Sequence, residues 1–343
     1  MIVIPTLIAF LVSFGLTRLF CNPASRLHLL DHPSERSLHT RPVPRSGGVA
    51  VLGGLIAGGA VVWASYPFST SPGLGLALSA ALLLAAVSFL DDRAEIKPSV
   101  RLLAHGLAAA LLVGAGLRLN MIEFPGLILI LPPWLAVLLS LGFIIWMINL
   151  YNFMDGMDGF AGGMTVIGFS SFAILGWQAD NPLFTQIGLL IAGAAAGFLW
   201  FNFPPARIFL GDTGSSVLGF LAAALSLWGS RDGMFPLWVT VLIFSPFIVD
   251  ATITLLRRTL RREKIWLPHK THYYQRLVQL GWGHRNTVLL EYALMLACSF
   301  SALLARYLSS GWQAGLLITW ILIYSALMVR VNYLERQTTG QAG

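Results

Sequence analysis

The stretch NLYNFMDGMDGFAGGM, residues 149–164, decides how the rest of the chain is read. Two amides and two acids recur in it at every third position: Asn149, Asn152, Asp155 and Asp158. Long apolar runs precede and follow the stretch, so these side chains stand at the end of a membrane-length segment. Ionisable groups in such places are costly and commonly functional. The alternative explanation is a polar cap between two helices, but a cap needs only one Asp or Asn.

The spacing also predicts that a helix ends inside this stretch. On an unbroken α-helix a step of three residues falls short of a full turn by about 60°, so the first and fourth polar side chains would face apart. Gly156 and Gly159 can end the helix there. We then expect all four polar side chains to converge.

The composition predicts an all-α polytopic integral membrane protein, with residues 1–343 forming one membrane-embedded domain. The 343 residues are 56% hydrophobic and 11% charged, against about 25% charged in soluble domains, and the mean hydropathy is +0.74. The apolar runs exceed the strands of about ten residues found in membrane barrels. Cys21 and Cys298 lie beside or within apolar runs and indicate no disulfide framework.

Apolar runs of about 17–20 residues are long enough to cross a bilayer. The chain has eleven such runs, which we interpret as about eleven transmembrane helices. They cover roughly 2–20, 47–65, 73–90, 101–118, 130–150, 160–177, 184–201, 214–229, 236–256, 286–306 and 313–330.

The placement of Lys and Arg sets the orientation, because cytoplasmic loops are enriched in these residues. With the N-terminus periplasmic and eleven spans, 19 of the 22 Lys and Arg fall on one side. We therefore predict that this side and the C-terminus are cytoplasmic. The charge of +7 follows from membrane topology and predicts no nucleic-acid partner. All the polar motifs fall on this same face, which predicts an active site open to the cytoplasm.

Two further aspartate sites lie on that face. Asp91 and Asp92 are adjacent, and like charges this close resist joint ionisation unless a cation compensates them. A divalent metal, a metal-bound diphosphate or a proton-accepting role would explain the pair, and so would a solvated helix end. Asp212, in FLGDTGSS, is either an N-cap or a metal ligand at a helix start that also suits phosphate. Together the three sites favour a shared Mg²⁺ or Mn²⁺, since hard cations prefer oxygen ligands.

Two cationic loops on the same face could bind phosphate. One is PHKTHYYQR, and the other is the Pro- and Gly-rich loop before the second span. A simple positive-inside anchor is the alternative for both. Asp250, deep in the ninth span, is either a structural hydrogen-bonding group or a further functional carboxylate. The chain has no zinc pattern, nucleophile elbow or Walker A loop. Carboxylates, a hard metal and cations at a membrane boundary suit phosphoryl transfer.

The motifs DHPSERSLHTRPVPRSGG, LDD, NLYNFMDGMDG, FLGDTG and PHKTHYYQR, in that order, resemble the polyprenyl-phosphate N-acetylhexosamine-1-phosphate transferases. The resemblance covers about the whole chain. It implies that undecaprenyl phosphate attacks the β-phosphate of a UDP-N-acetylhexosamine and releases UMP. It further implies Mg²⁺, or Mn²⁺, on the pyrophosphate.

The same resemblance implies roles for individual residues. Asp212 and Asp155 would bind the metal. The catalytic positions would be Asp91, Asp92, Asp155, Asp158, His269 and His272. Substrate would be bound by Arg36, His39, Arg45, Asn149, Asn152, Lys270 and Arg276.

The resemblance also suggests a branch of the family. The chain has His-Lys-Thr-His where the lipid I synthase branch has three consecutive histidines, and it looks more like the O-antigen-initiating branch. GlcNAc, FucNAc and QuiNAc donors all remain open. The implied location is the bacterial inner membrane, among membrane lipids, and a homodimer is left open.

Three other functions compete with the transferase. A transporter or flippase of lipid-linked sugars would carry charges at the bilayer midplane and on both faces. A CDP-alcohol phosphotransferase would carry an Ala-Arg and further aspartates that DGMDGFAGG lacks. A membrane scaffold would not require aspartates on three loops.

Overall fold

The computed structural model describes residues 3–33, 37–65, 72–94, 96–264, 267 and 269–340. The chain there is a bundle of α-helices with two short hairpins. The first seven helices are α1 (Val3–Phe20), α2 (Gly47–Ser65), α3 (Pro72–Ala94), α4 (Pro98–Gly114), α5 (Pro133–Met154), α6 (Phe160–Gln178) and α7 (Pro182–Asn202). The remaining six are α8 (Gly211–Arg231), α9 (Leu237–Ile243), α10 (Ser245–Leu260), α11 (Tyr273–Leu277), α12 (Gly283–Ala305) and α13 (Ser310–Gly340).

The all-α membrane architecture is confirmed, although the number of full spans is lower than eleven. Among the described residues nine helical segments are long and apolar enough to cross a bilayer, and a bent pair would make ten. The predicted span 101–118, the fourth in chain order, corresponds to α4, which is apolar but has only 17 residues. The orientation of the bundle stays a prediction.

The ninth predicted span is broken rather than continuous. The axes of α9 and α10 meet at 82°. Pro246 lacks the N–H that would bond to the carbonyl of Leu242, and its ring clashes with that carbonyl in a straight helix. The Ser245 hydroxyl donates to the Leu242 carbonyl instead, at 2.7 Å.

Short antiparallel strands lie outside the helices. β1 (Leu30–Asp31) pairs with β2 (Val43–Pro44) in the first loop, and β3 (Met121–Phe124) pairs with β4 (Leu127–Ile130). The predicted span 130–150 therefore starts later than expected. Its helix begins at Pro133, because consecutive prolines suit a helix start and not a helix interior.

Helix α8 is the centre of the bundle. In the apolar segment of α8, 83% of the residues are buried inside the protein, against 11% in the apolar segment of α13. Helix α8 packs on α2, α3 and α5. Small residues allow this close packing, as is common between membrane helices. At Gly219 an added Cβ would lie 2.5 Å from the Met147 carbonyl oxygen of α5. The packing fixes the start of α8 against the ends of α3 and α5.

We predict from this bundle that two arginines lie on opposite sides of the membrane. In the variant Arg231→Cys, the introduced cysteine lies at the end of α8 and should react with a membrane-impermeant maleimide in intact spheroplasts. A cysteine in Arg262→Cys, after α10, should react only after permeabilisation. Both variants carry Cys21→Ser, because Cys21 is only half-buried at the predicted cytoplasmic end, whereas Cys298 is buried; the Cys21→Ser chain alone is the control. The opposite labelling pattern would invert the topology.

Candidate active site

Three aspartate-bearing segments meet at one end of the bundle. They are the end of α3, the end of α5 and the start of α8. Asp92 of α3 accepts hydrogen bonds from the backbone N–H groups of Asp212 and Thr213, each at 2.9 Å. Arg101 of α4 lies 2.9 Å from Asp91 and 3.4 Å from Asp212. The sequence-based prediction that these motifs share one face of the molecule agrees with this geometry.

Asp92 caps α8 from another helix. One carboxylate oxygen takes the Asp212 N–H, and the other takes both the N–H and the hydroxyl of Thr213. Gly211 has φ +74°, and a Cβ there would collide with the Arg45 carbonyl and crowd Asp92. Asp212 is therefore not the N-cap of its own helix, so the structural explanation of this residue is wrong. Its carboxylate is free for another role.

Asp91 closes the connection between α3 and α4. One of its oxygens accepts the Ile96 N–H at 2.8 Å, and the other pairs with Arg101. Asp91 and Asp92 are each only 4% exposed, so the alternative of a solvated helix end is wrong. Buried carboxylates of this kind are retained because donors surround them.

Within the cluster of Asp91, Asp92, Asp155 and Asp212, the last two contact the fewest hydrogen-bond donors among the described residues. Asp155 ends α5, and the backbone of Gly211 is its hydrogen-bonding partner. Burial, and then the nearby charges of Asp212 and Asp92, raise the pKa of Asp155 well above its usual range. A divalent cation would relieve this repulsion, and carboxylate oxygens are the ligands that Mg²⁺ prefers.

The described residues fit Mg²⁺ better than a metal held by protein alone. No group of three or more His, Cys, Asp or Glu within them is placed to enclose a metal ion. Mg²⁺ is commonly held by one or two carboxylates together with substrate phosphates and water. Asp155 and Asp212 supply two such carboxylates, and the start of α8 lies beside them.

The four polar residues of 149–164 do not share one set of partners. Asn149 donates to its own helix at Ile145 and lies 3.4 Å from His105. Asn152 accepts from the hydroxyls of Ser215 and Ser216 and so ties α5 to α8. The helix ends as expected, at Met154, with Gly159 at φ +75°.

The side chain of Asp158 contacts other partners than those of Asn149, Asn152 and Asp155. Its carboxylate accepts the Ala206 N–H at 2.9 Å and lies 2.9 Å from Nδ1 of His284. The expected convergence of all four side chains is therefore incomplete, because Asp158 lies beyond the end of α5 and its carboxylate is held by Ala206 and His284 instead.

A cavity of about 470 Å³ opens beside Asp158. His39 and Arg41 of the first loop, Pro204 and Pro205, and His284 and Arg285 of α12 line it. Sequence reasoning missed His284. The sequence feature that could have indicated His284 is the His284–Arg285 pair in GWGHRN, directly before the next apolar run.

The first loop contacts the aspartate cluster through Arg45. His39 and Arg45 both face Asp31, at 3.1 and 3.7 Å. Arg45 also donates to the Asp92 carbonyl at 2.6 Å, while its Nε is buried without a hydrogen bond to any residue that the structure describes. Arg36, the third predicted cation of this loop, lies outside the described residues.

The histidine loop is anchored by Asp250. The carboxylate of Asp250 accepts the N–H groups of Tyr273 and Tyr274, at 2.9 and 3.0 Å, and lies 3.2 Å from Nδ1 of His272. Its structural interpretation is confirmed. Tyr274 donates in turn to the Phe153 carbonyl of α5, which brings this loop to the aspartate end.

The other predicted residues of this loop differ in environment. Burial, then the charges of His272 and Arg258, lower the pKa of His269 to about 4, so its imidazole is neutral at pH 7. Lys270 is exposed. Arg276 is buried and pairs with Glu335 of α13 at 2.6 Å. Any contact of these residues with substrate stays a prediction.

The division between capping and free carboxylates predicts different stabilities for two isosteric variants. Asp92→Asn should lower the thermal midpoint in detergent by several degrees, because hydrogen bonds to a charged group contribute about 1.5–3 kcal/mol. Asp212→Asn should leave the midpoint nearly unchanged, since Arg101, at 3.4 Å, is the one side-chain cation that its carboxylate contacts among the described residues. Differential scanning fluorimetry compares the two. Equal losses in both variants would contradict the cap.

Known proteins share the sequence segments that carry these aspartates. The profile described as glycosyl transferase family 4 matches residues 74–230, which include all three aspartate segments. A probable undecaprenyl-phosphate N-acetylglucosaminyl 1-phosphate transferase of Bacillus subtilis (strain 168) is 31% identical over 338 residues, covering 96% of this chain and 93% of the relative. A decaprenyl-phosphate N-acetylglucosaminephosphotransferase of Mycobacterium tuberculosis (strain H37Rv) is 30% identical, covering 88% and 81%.

A more distant relative extends the same pattern. An undecaprenyl-phosphate alpha-N-acetylglucosaminyl 1-phosphate transferase of Yersinia pestis is 26% identical, covering 90% of this chain and 84% of the relative. The family resemblance in the motifs, the bundle of apolar helices and these full-length matches have one explanation. The chain belongs to the polyprenyl-phosphate N-acetylhexosamine-1-phosphate transferases of glycosyl transferase family 4.

Proposed function

We propose that this chain transfers N-acetylglucosamine 1-phosphate from UDP-N-acetylglucosamine to undecaprenyl phosphate, as the first membrane step of a cell-surface polysaccharide. The observation that supports it most is the meeting of Asp155, Asp212 and the Arg101-bridged Asp91 at one end of an apolar bundle. Such a site serves a reaction between a phosphate fixed in the membrane and a diphosphate from solution. The names of the relatives favour GlcNAc over FucNAc and QuiNAc.

The reaction balances without an additional reactant. An oxygen of the lipid phosphate bonds to the β-phosphorus of the UDP-sugar, and the bond from that phosphorus to the bridging oxygen breaks. UMP leaves with the bridging oxygen, and undecaprenyl-diphospho-sugar remains in the bilayer. A phosphate monoester is largely ionised near pH 7, because its second pKa is about 6. The attacking oxygen therefore needs no general base.

Asp212 and Asp155 would hold Mg²⁺, or Mn²⁺, when it is bound. When bound, the ion would neutralise negative charge on the pyrophosphate and on the leaving UMP. Arg101 keeps Asp212 in place through the 3.4 Å contact and offsets part of the charge of Asp91. Asp92 acts as a positioning residue, because its oxygens are already engaged by α8.

The cavity beside Asp158 is our proposed position for part of the nucleotide sugar. Its volume of about 470 Å³ and its cations suit a polar, phosphorylated ligand. Asp158 would orient His284 through their 2.9 Å contact. His39 lines the same cavity, and neutral His269 would hydrogen-bond rather than ion-pair.

The transporter and flippase alternative receives less support. A transport path would require ionisable groups near the bilayer midplane. The aspartate cluster instead lies where α3 and α5 end and α8 begins. We further propose that this end faces the cytoplasm in the bacterial inner membrane, where UDP-sugars are made.

We expect purified protein, given undecaprenyl phosphate and Mg²⁺, to release UMP from UDP-GlcNAc. UDP-FucNAc and UDP-QuiNAc, tested in parallel, should react at least about tenfold more slowly, which corresponds to 1.4 kcal/mol. A coupled UMP assay measures all three. Preference for a 6-deoxy donor would reassign the sugar, and no UMP from any donor with folded protein would contradict the reaction.

We also expect EDTA to stop turnover and added Mg²⁺ to restore it. Asp212→Asn should lower turnover by about 100-fold or more at saturating Mg²⁺, since a metal site supplies several kcal/mol of charge stabilisation. Asp232→Asn, an equal change beyond the other end of α8, is the matched control and should retain activity. EDTA-insensitive turnover, or full activity of Asp212→Asn, would refute the metal site.

A further inference from the structure

A second polar cavity lies apart from the aspartate cluster. It has a volume of about 200 Å³ and sits between the C-terminal part of α10, the segment around α11, and α13. Five cations line it: Arg257, Arg258, Arg261, Lys270 and Arg276. Glu263 and Glu335 are the acids in its wall, so positive charge is in excess. We call it the basic pocket.

Part of the positive charge is used to build the wall. Arg258 is buried and donates to Glu263 at 2.8 Å and to the carbonyls of Lys264 and Leu267. Arg257 donates to the Tyr273 hydroxyl at 2.7 Å. These contacts hold the chain after α10 against α10 itself and join α10 to α11, so the pocket is a defined structure and not a loose run of basic residues.

Arg276 and Arg261 carry hydrogen-bond donors that contact no acceptor among the described residues. Arg276 is 6% exposed, and its Nε and Nη2 bond to Glu335 and Asn332 of α13. Its Nη1 is buried and has no hydrogen bond within the described part of the chain. A buried unpaired donor on a guanidinium is costly unless an acceptor completes it. Arg261 is exposed, and no hydrogen bond or ion pair of its side chain occurs among the described residues.

The pocket lies beside the lipid-facing surface. Leu256 and Leu260, four residues apart on α10, are exposed on one side of the helix, while Arg257 and Arg261 line the pocket. The 82° bend after α9 directs α10 away from the axis of a straight span. A helix with exposed leucines beside arginines is typical of the membrane interface. Basic pockets between membrane helices on the cytoplasmic side bind phosphorylated headgroups.

We propose that the basic pocket binds a phosphate group, which the surrounding surface supplies as the headgroup of an anionic phospholipid. The site is separate from the aspartate cluster and does not depend on the proposed reaction. The buried Nη1 of Arg276 in the pocket wall, unpaired among the described residues, and the exposed guanidinium of Arg261 provide the charge-assisted hydrogen bonds. Free inorganic phosphate shares this chemistry and is the second source to be tested.

Native mass spectrometry of the delipidated full chain in detergent tests the proposal. The probes are cardiolipin, phosphatidylglycerol and phosphatidylcholine, and inorganic phosphate is titrated separately by ³¹P NMR. We expect cardiolipin or phosphatidylglycerol to bind at least about tenfold more tightly than phosphatidylcholine. Arg261→Glu should weaken that binding by about tenfold or more, which corresponds to about 1.4 kcal/mol, because the variant loses a charge-assisted donor and places a like charge beside the phosphate.

The neighbouring residue gives a matched control. Arg262 is exposed like Arg261 but does not line the pocket, so Arg262→Glu changes the net charge equally and should alter binding less than about twofold, an energy of a few tenths of a kcal/mol. Phosphate binding lost only in Arg261→Glu, without a lipid preference, would support the site with the soluble source. Equal losses in both variants, or no anion binding in the unsubstituted chain, would overturn the proposal. UMP release by each variant is measured separately and shows whether the transferase itself is intact.

Discussion

The structure depends on one buried carboxylate, that of Asp92. It belongs to α3 but receives the first N–H groups of α8, the helix at the centre of the bundle. Those N–H groups have no partner within their own helix, and leaving them buried and unpaired would be costly. A negative charge at this helix start is further favoured by the helix dipole. The same contact therefore fixes the central helix and brings α3 to it.

This cap determines what the other aspartates can do. Because Asp92 satisfies the start of α8, Asp212 need not fold back on its own backbone, and its carboxylate stands near Asp155 with one long contact to Arg101. Asp91 is compensated by Arg101 at shorter range. The result is a cluster in which two carboxylates are engaged and two are not. Only the second pair is electrostatically suited to a cation that arrives with a phosphorylated substrate.

Much of this arrangement could be predicted from sequence. Hydrophobic runs gave the helices, and the Lys and Arg asymmetry placed the polar motifs at one end, because both signals depend on local composition. Which carboxylate caps which helix could not be predicted, since Asp92 and Asp212 are 120 residues apart in the chain. The break between α9 and α10 was marked by Pro246, but its angle of 82° depends on packing against α5 and α12.

The contacts of the polar repeat illustrate the same limit. A period of three predicted that the helix would end near Gly156, and it does, but not that Asp158 would turn to His284. That pairing joins residues 126 positions apart and arises only when α12, which begins beside His284, packs against α6. Short-range patterns thus located the functional segments, whereas long-range packing decided which of their side chains face one another.

The bend of α10 has an electrostatic consequence for the whole end of the bundle. Arg257 and Arg258 follow Asp250 on α10, and Arg261 comes directly after the end of that helix. With the bend, these cations lie along the side of the bundle, next to exposed leucines. Among the described residues the ion pairs of Asp91 and Asp212 are with Arg101, whereas Arg258 pairs with Glu263 and not with the aspartate cluster. The aspartates therefore remain available to a metal ion and the arginines to an anion, so the two regions can bind opposite charges without neutralising each other.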